Sequence, residues 1–177
     1  MDTVQDRMPE EELTRLVEAH QLALLRLCYA YLHDRALAED AVQETFLKAY
    51  RGSGQFRGDA SPKTWLSRIA INTCRDMRRS GWFRHMDRRV TPEMLPEPAS
   101  QPSRLDDAVT VEVMRLPVRL RECVLLYFFE DMSTVEIAQT LHISQQAVSG
   151  RLNRAKAKLR RALADREETG ERRDNNG

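Results

Sequence analysis

No apolar run in this 177-residue chain approaches the length needed to span a bilayer. Its opening, Met1 to Glu12, is acidic and polar, unlike an export signal. The expectation is a cytoplasmic protein without membrane insertion. Cysteine is scarce: Cys28, Cys74 and Cys123 stand far apart, odd in number and each inside an apolar helical pattern. That arrangement disfavours disulfides and points to buried thiols in a reducing compartment. His20, His33, His85 and His142 show no ligand spacing with the cysteines, and no glycine-rich phosphate loop follows a strand. The sequence therefore calls for no metal and no cofactor, and it positions no catalytic constellation. It reads as a non-enzymatic protein.

Net charge is also nearly absent, since 28 Lys and Arg against 27 Asp and Glu leave +1. The charges are segregated, however. Acids lead in the first helices (Glu10, Glu11, Glu12, Glu39, Asp40, Glu44), whereas bases dominate Arg75 to Arg89 and again Arg151 to Arg161. Two basic blocks suggest two phosphate-facing surfaces.

Apolar residues recur at three-and-four spacing from Pro9 to His33, through Leu13, Leu16, Val17, Leu24, Leu27, Cys28 and Tyr31, which predicts an amphipathic helix. Leu22, Leu25, Tyr29 and Leu32 form a second apolar face. The helix is either buried on two sides or offers a surface to a partner. Asp34 caps a second helix to about Arg51, with Val42, Phe46, Ala49 and Tyr50 inward and Asp40, Gln43, Glu44 and Leu47 on the opposite stripe. After a loop broken by Gly52, Gly54 and Gly58, Ser61 and Pro62 supply the cap and first turn of a third helix. Trp65, Leu66, Ile69, Ala70, Thr73, Cys74 and Met77 line its inward face. Arg68, Asn72, Arg75 and Arg79 line another side, which is either a solvated surface or a binding one.

Periodicity vanishes between Ser80 and Arg104, where Pro92, Pro96, Pro98 and Pro102 gather. This predicts a linker that keeps the flanking domains separated yet able to move. Beyond it, Leu105, Val109, Val113 and Leu116 predict a short helix. Pro117 starts another, carrying Leu120, Cys123, Val124, Tyr127 and Phe128 as core. Ser133 and Glu136 form a capping box ahead of Ile137, Ala138 and Leu141, and Ser144 caps the next helix, with Val148, Leu152, Ala155 and Leu159 inward. The expected fold is all-α: two small helical domains, 9–80 and 105–164, joined by a proline-rich linker, 81–104, and followed by a frayed or disordered polar tail, 165–177.

Two capped helices joined by Leu141-His142-Ile143 match a helix-turn-helix, which holds its second helix projecting as the major groove requires. Gln145, Gln146, Ser149 and Asn153 on that helix are residue types that hydrogen-bond base edges. Arg151, Arg154, Lys156, Lys158, Arg160 and Arg161 lie behind them and suit phosphates. A plain helical hairpin with a solvated basic face is the alternative. The agreement of capping box, turn spacing, polar front and basic flank favours DNA.

Two stretches carry a wider resemblance: Ala38 to Phe46 (AEDAVQETF) with Thr64 to Asn72 (TWLSRIAIN), and Leu116-Pro117 through Leu159. In this order they resemble bacterial extracytoplasmic-function sigma factors of the sigma-70 family, with that family's region two and region four on either side of a linker. The resemblance implies a subunit that binds core RNA polymerase and promoter DNA, helps melt the promoter and catalyses nothing itself. By it, Asp40, Gln43, Glu44 and Leu47 dock on the clamp of the polymerase β′ subunit, while region four meets the β flap. Gln55, Phe56, Arg57 and Asp59 hold a flipped base of the minus-10 element, with Arg68, Asn72, Arg75 and Arg79 contacting DNA upstream. Ser144, Gln145, Gln146, Ser149, Arg151, Asn153, Arg154 and Lys158 serve the minus-35 element, and an anti-sigma protein is the implied inhibitor. Gly150 departs from the family's usual serine, and His142 stands where the family often has glycine. A helix-turn-helix repressor or activator that does not bind polymerase is the rival reading, and a helical adaptor that binds only protein is a third.

Overall fold

The computed structural model describes residues 8–56, 58–79 and 104–174; side chains at 55, 104–107 and 167–174 are outside that description, as are Arg57 and the linker segment 80–103. Seven α-helices appear in it: α1 (Glu10–Leu32), α2 (Arg35–Arg51), α3 (Pro62–Arg79), α4 (Arg104–Arg115), α5 (Val118–Val124), α6 (Thr134–Leu141) and α7 (Gln145–Asp174). Single turns at Ser53–Gln55 and Leu125–Phe129 complete the order, and there is no strand among the described residues. The all-α expectation holds.

Local chemistry places the helix ends. Asp34 accepts from Leu37 N at 2.8 Å, and Ser61 Oγ accepts from Thr64 N at 3.1 Å. Ser133 and Glu136 form the expected capping box, and Ser144 Oγ accepts from Ala147 N at 3.1 Å. Each cap satisfies backbone N–H groups that a helix leaves without partners at its start. Helices α1 to α3 pack as one unit around Leu27, Cys28, Phe46, Leu66, Ala70 and Ile71, and α4 to α7 as another around Met114, Val124, Leu126, Ile137, Leu141 and Val148.

Four expectations change. The two units are not separated: the last two turns of α1 pack against α4 and α5, so Leu24 and Leu27 to Leu32 are buried all round, and one apolar cluster runs through both units. Apolar residues on both sides of α1 draw the two units together. Tyr127 and Phe128 are surface residues, 36% and 50% exposed. The turn Leu125–Phe129 closes on Glu130 N→Leu125 O, a wider i→i+5 bond that swings these rings off the core stripe. In α4 it is Val111, Val113 and Met114 that are buried, while Val109 is 38% exposed. Finally, the tail is helical to Asp174, with no proline to stop it, and Arg166 pairs with Glu112 of α4 at 2.9 Å.

Candidate nucleic-acid interface

The helix-turn-helix forms as α6, a turn and α7. His142 terminates α6 in the left-handed region, φ 54° and ψ 47°. That conformation explains why glycine suits the position, since a side chain there costs about 1 kcal/mol. Gln145 Nε2 donates to Thr134 Oγ1 at 2.8 Å and ties the start of α7 to α6. Gln146, Ser149 and Asn153 are exposed on α7, as are Arg154 and Lys158. Arg151 departs from this set: it turns inward and donates to Glu122 of α5 at 3.0 Å. Beside it, burial pushes the Cys123 thiol up to about 11, so that it stays protonated and unreactive.

At Gly150 an added Cβ would meet only the end of Arg154, at 3.9 Å. The free protein has no steric need of glycine here. Gly150→Ala is expected to stabilise α7 by about 0.5 to 1 kcal/mol, read as a rise in denaturant midpoint with unchanged slope. A midpoint that falls would mean that the site is more crowded than this.

In the first unit, the loop after α2 positions Phe56 against Trp65, ring centroids 4.6 Å apart, at the start of α3. Asp59 is exposed, Gln55 lies in the turn Ser53–Gln55, and Gly58 has φ 75°. The expected basic face of α3 is not open. Arg68 meets Glu136 at 3.4 Å, and Arg75 approaches Glu122 at 3.8 Å and donates to Leu141 O at 3.3 Å. Asn72 is half-buried on the same face, and Arg79 is exposed. On α2, Asp40 and Gln43 are exposed, Glu44 is half-buried and Leu47 is 49% exposed, so an acidic stripe with an apolar centre faces outward.

The residues that close the two units were not visible in the sequence. Glu122, its side chain 5% exposed, receives Arg75, Arg151 and the hydroxyl of Tyr31, which donates at 3.2 Å. Burial, then the Glu122 charge, raises the Tyr31 phenol and keeps it a donor. Arg121, also buried, donates to Met114 O within its own unit and to Tyr31 O across the interface at 2.9 Å, with His33 Nε2 2.7 Å away. Ser67 Oγ donates to Glu130.

Burial pushes the Glu130 carboxyl up, against the pull of the Ser67 hydrogen bond and of Lys63. A raised folded-state value means that Glu130 supports the buried state when protonated, and that this support is lost as pH rises through the raised value. Glu130→Gln keeps an acceptor for Ser67 without the charge. It is expected to raise Tm near neutral pH, with a gain that vanishes below the ordinary carboxylate range, at about pH 3. Melts at the two pH values check this, and an equal gain at both would contradict it.

Among the described residues no helix is long and apolar enough to cross a membrane, and no group of three or more His, Cys, Asp or Glu is placed to hold a metal ion. Residues 16–84 match the family described as Sigma-70 region 2, and residues 107–159 match Sigma-70, region 4. The chain is similar to the RNA polymerase sigma-H factor of Pseudomonas aeruginosa, 34% identical over 162 residues and covering 84% of each chain. It is also similar to the ECF RNA polymerase sigma factor SigM of Mycobacterium tuberculosis, 33% identical over 152 residues, 84% of this chain and 76% of that one. Among solved structures, CnrH in complex with the cytosolic domain of CnrY matches at 29% identity and TM-score 0.63, over 89% of this chain and 90% of that one. The sigma factor RpoE of Bartonella quintana, solved with the anti-sigma factor NepR, shares the fold at 21% identity and TM-score 0.67, over 88% and 96%.

Proposed function

This chain belongs to the sigma-70 family, in its extracytoplasmic-function branch, and from that membership we propose how its two helical units divide the work of transcription initiation. It is an alternative RNA polymerase sigma factor. The observation that carries this is the ordered pair of region-two and region-four matches in one chain, where a simple repressor or activator would need only the second.

The first unit docks on the β′ clamp of core polymerase through the outward stripe of α2, where Leu47 offers apolar contact inside an acidic surround. Its loop around Phe56, Gly58 and Asp59 takes an extruded base of the minus-10 element. Extrusion costs a few kcal/mol of stacking, and the Phe56 and Trp65 rings, tilted at 32° to each other, offer aromatic surface to offset it. Once the two units separate and free this face of α3, Arg68, Asn72, Arg75 and Arg79 contact the upstream backbone. The second unit sits on the β flap and inserts the start of α7 into the major groove of the minus-35 element, with Gln146, Ser149 and Asn153 at base edges and Arg154 and Lys158 on phosphates.

Gln146 is exposed and makes no contact that holds the fold, so its amide is available for a bidentate pair with a base. Gln146→Ala is expected to weaken minus-35 recognition by about 1 to 3 kcal/mol, roughly 5- to 150-fold, and to leave core binding unchanged. Equal loss of both would contradict the assignment. CnrH, a relative in sequence and fold, was solved with the cytosolic domain of CnrY. By extension an anti-sigma protein holds this chain inactive, and co-purification from its native host, followed by loss of transcription on adding the captured protein, tests that.

A further inference from the structure

Five arginines, Arg75, Arg78, Arg79, Arg119 and Arg151, line a cavity of about 480 Å³ between the two units, and Glu122 is its one acid. We propose that this cleft is an anion site that takes an oligophosphate, a short linear chain of phosphoryl groups, and that it exists only while the units are closed. The walls come from both sides: α3 supplies Arg75, Arg78 and Arg79, and α5 and α7 supply Arg119, Glu122 and Arg151. Separating the units divides the site in two.

Charge favours an anion strongly. Five guanidinium groups against one carboxylate leave +4 around the cavity. Glu122 is already shared between Arg75 and Arg151, and among the described residues no carboxylate pairs with Arg78, Arg79 or Arg119. Like charges gathered around the gap repel one another and direct a positive field into it. An anion there relieves the repulsion. The guanidinium fork matches phosphoryl oxygens two at a time, and forks on opposite walls need an anion long enough to reach both.

Size and lining select the class further. The volume falls in the range of small-ligand sites, about 300 to 1,000 Å³, and is far too small for a nucleic-acid duplex. Tyr31 and Val118 are the remaining lining residues, and Tyr31 is 3% exposed with its hydroxyl committed to Glu122. The cleft thus offers no aromatic platform for a base, and recognition falls on the phosphoryl chain. Because Arg75 and Arg79 are also promoter-facing in the reading above, a bound oligophosphate holds the closed form and withdraws them from DNA. Binding itself stands on the cleft alone; only this last consequence rests on the sigma-factor reading.

The probe is inorganic triphosphate, titrated calorimetrically into the full chain at fixed ionic strength. The comparison is the double variant Arg78→Ser with Arg119→Ser, neither residue being assigned to DNA or polymerase. Saturable one-to-one binding is expected, weakened about tenfold or more in the double variant, with an unchanged melt in the absence of the anion. Each single variant should show part of the loss, which guards against a folding defect in the double. Triphosphate should also raise energy transfer between dyes on the two units. Heat that disappears at matched ionic strength, or equal binding by the double variant, overturns the proposal. Binding without any gain in energy transfer would overturn the link to closure and leave the sigma-factor reading untouched.

Discussion

Replacing Glu122 by alanine is expected to shift the chain from the closed toward an open arrangement by roughly 30- to 160-fold, equivalent to about 2 to 3 kcal/mol. Breaking one member out of a buried ion pair costs about 3 to 5 kcal/mol when the remaining charge stays buried. Here the side chains of Arg75 and Arg151 keep 22% and 17% exposure, which lowers the figure. In the variant these two arginines would face each other without the carboxylate between them, and Tyr31 would lose its acceptor. The chain escapes that cost by separating its units, so the penalty falls on closure and not on folding. Energy transfer between dyes at Glu18 and Ala157, both exposed, should drop, and free promoter DNA should bind more tightly. Equal transfer in wild type and variant would show that the Glu122 contacts do not hold the units together.

Leu66→Ala should have the largest effect on stability. Leu66 is fully buried in the second turn of α3, a helix packed against α1 and α2, where a truncation leaves a cavity with little room to relax. Such changes cost about 2 to 5 kcal/mol. For a unit this small each kcal/mol lowers Tm by about 4 to 8 °C, so a fall of about 8 to 40 °C is expected. The core of the second unit, built on Val124, Leu126, Ile137, Leu141 and Val148, lies on other helices. Scanning calorimetry should therefore show one transition moving and a second held nearly in place. A joint shift of the whole profile would mean that the two units unfold as one.

The parts of this molecule legible in the sequence are those that local chemistry fixes. Asp34, Ser61, Ser133 and Ser144 announce helix starts because a side-chain oxygen three residues ahead of an N–H is a local relation. The inward residues of α3 and α7 follow from helical spacing, and the polar front of α7 from residue type. What could not be read is the meeting of the units. Tyr31 and Glu122 are 91 residues apart, and nothing in the Arg121-Glu122 dipeptide distinguishes it from an ordinary solvated pair on a helix. Ser67 and Glu130 pose the same difficulty. The sequence places Arg68 and Arg75 on one face, yet it contains no signal that this face meets carboxylates of the second unit. Tyr127 and Phe128 were misplaced because one wider turn rotates everything after it.

Transcription by purified, sigma-free core polymerase supplied with this chain and a promoter library tests the central claim most directly. Specific transcripts are expected, starting a fixed distance downstream of paired minus-35 and minus-10 sequences, and they should require both the chain and core. Tight binding of the chain to DNA by itself, with no association with core and no specific transcript, would contradict the claim.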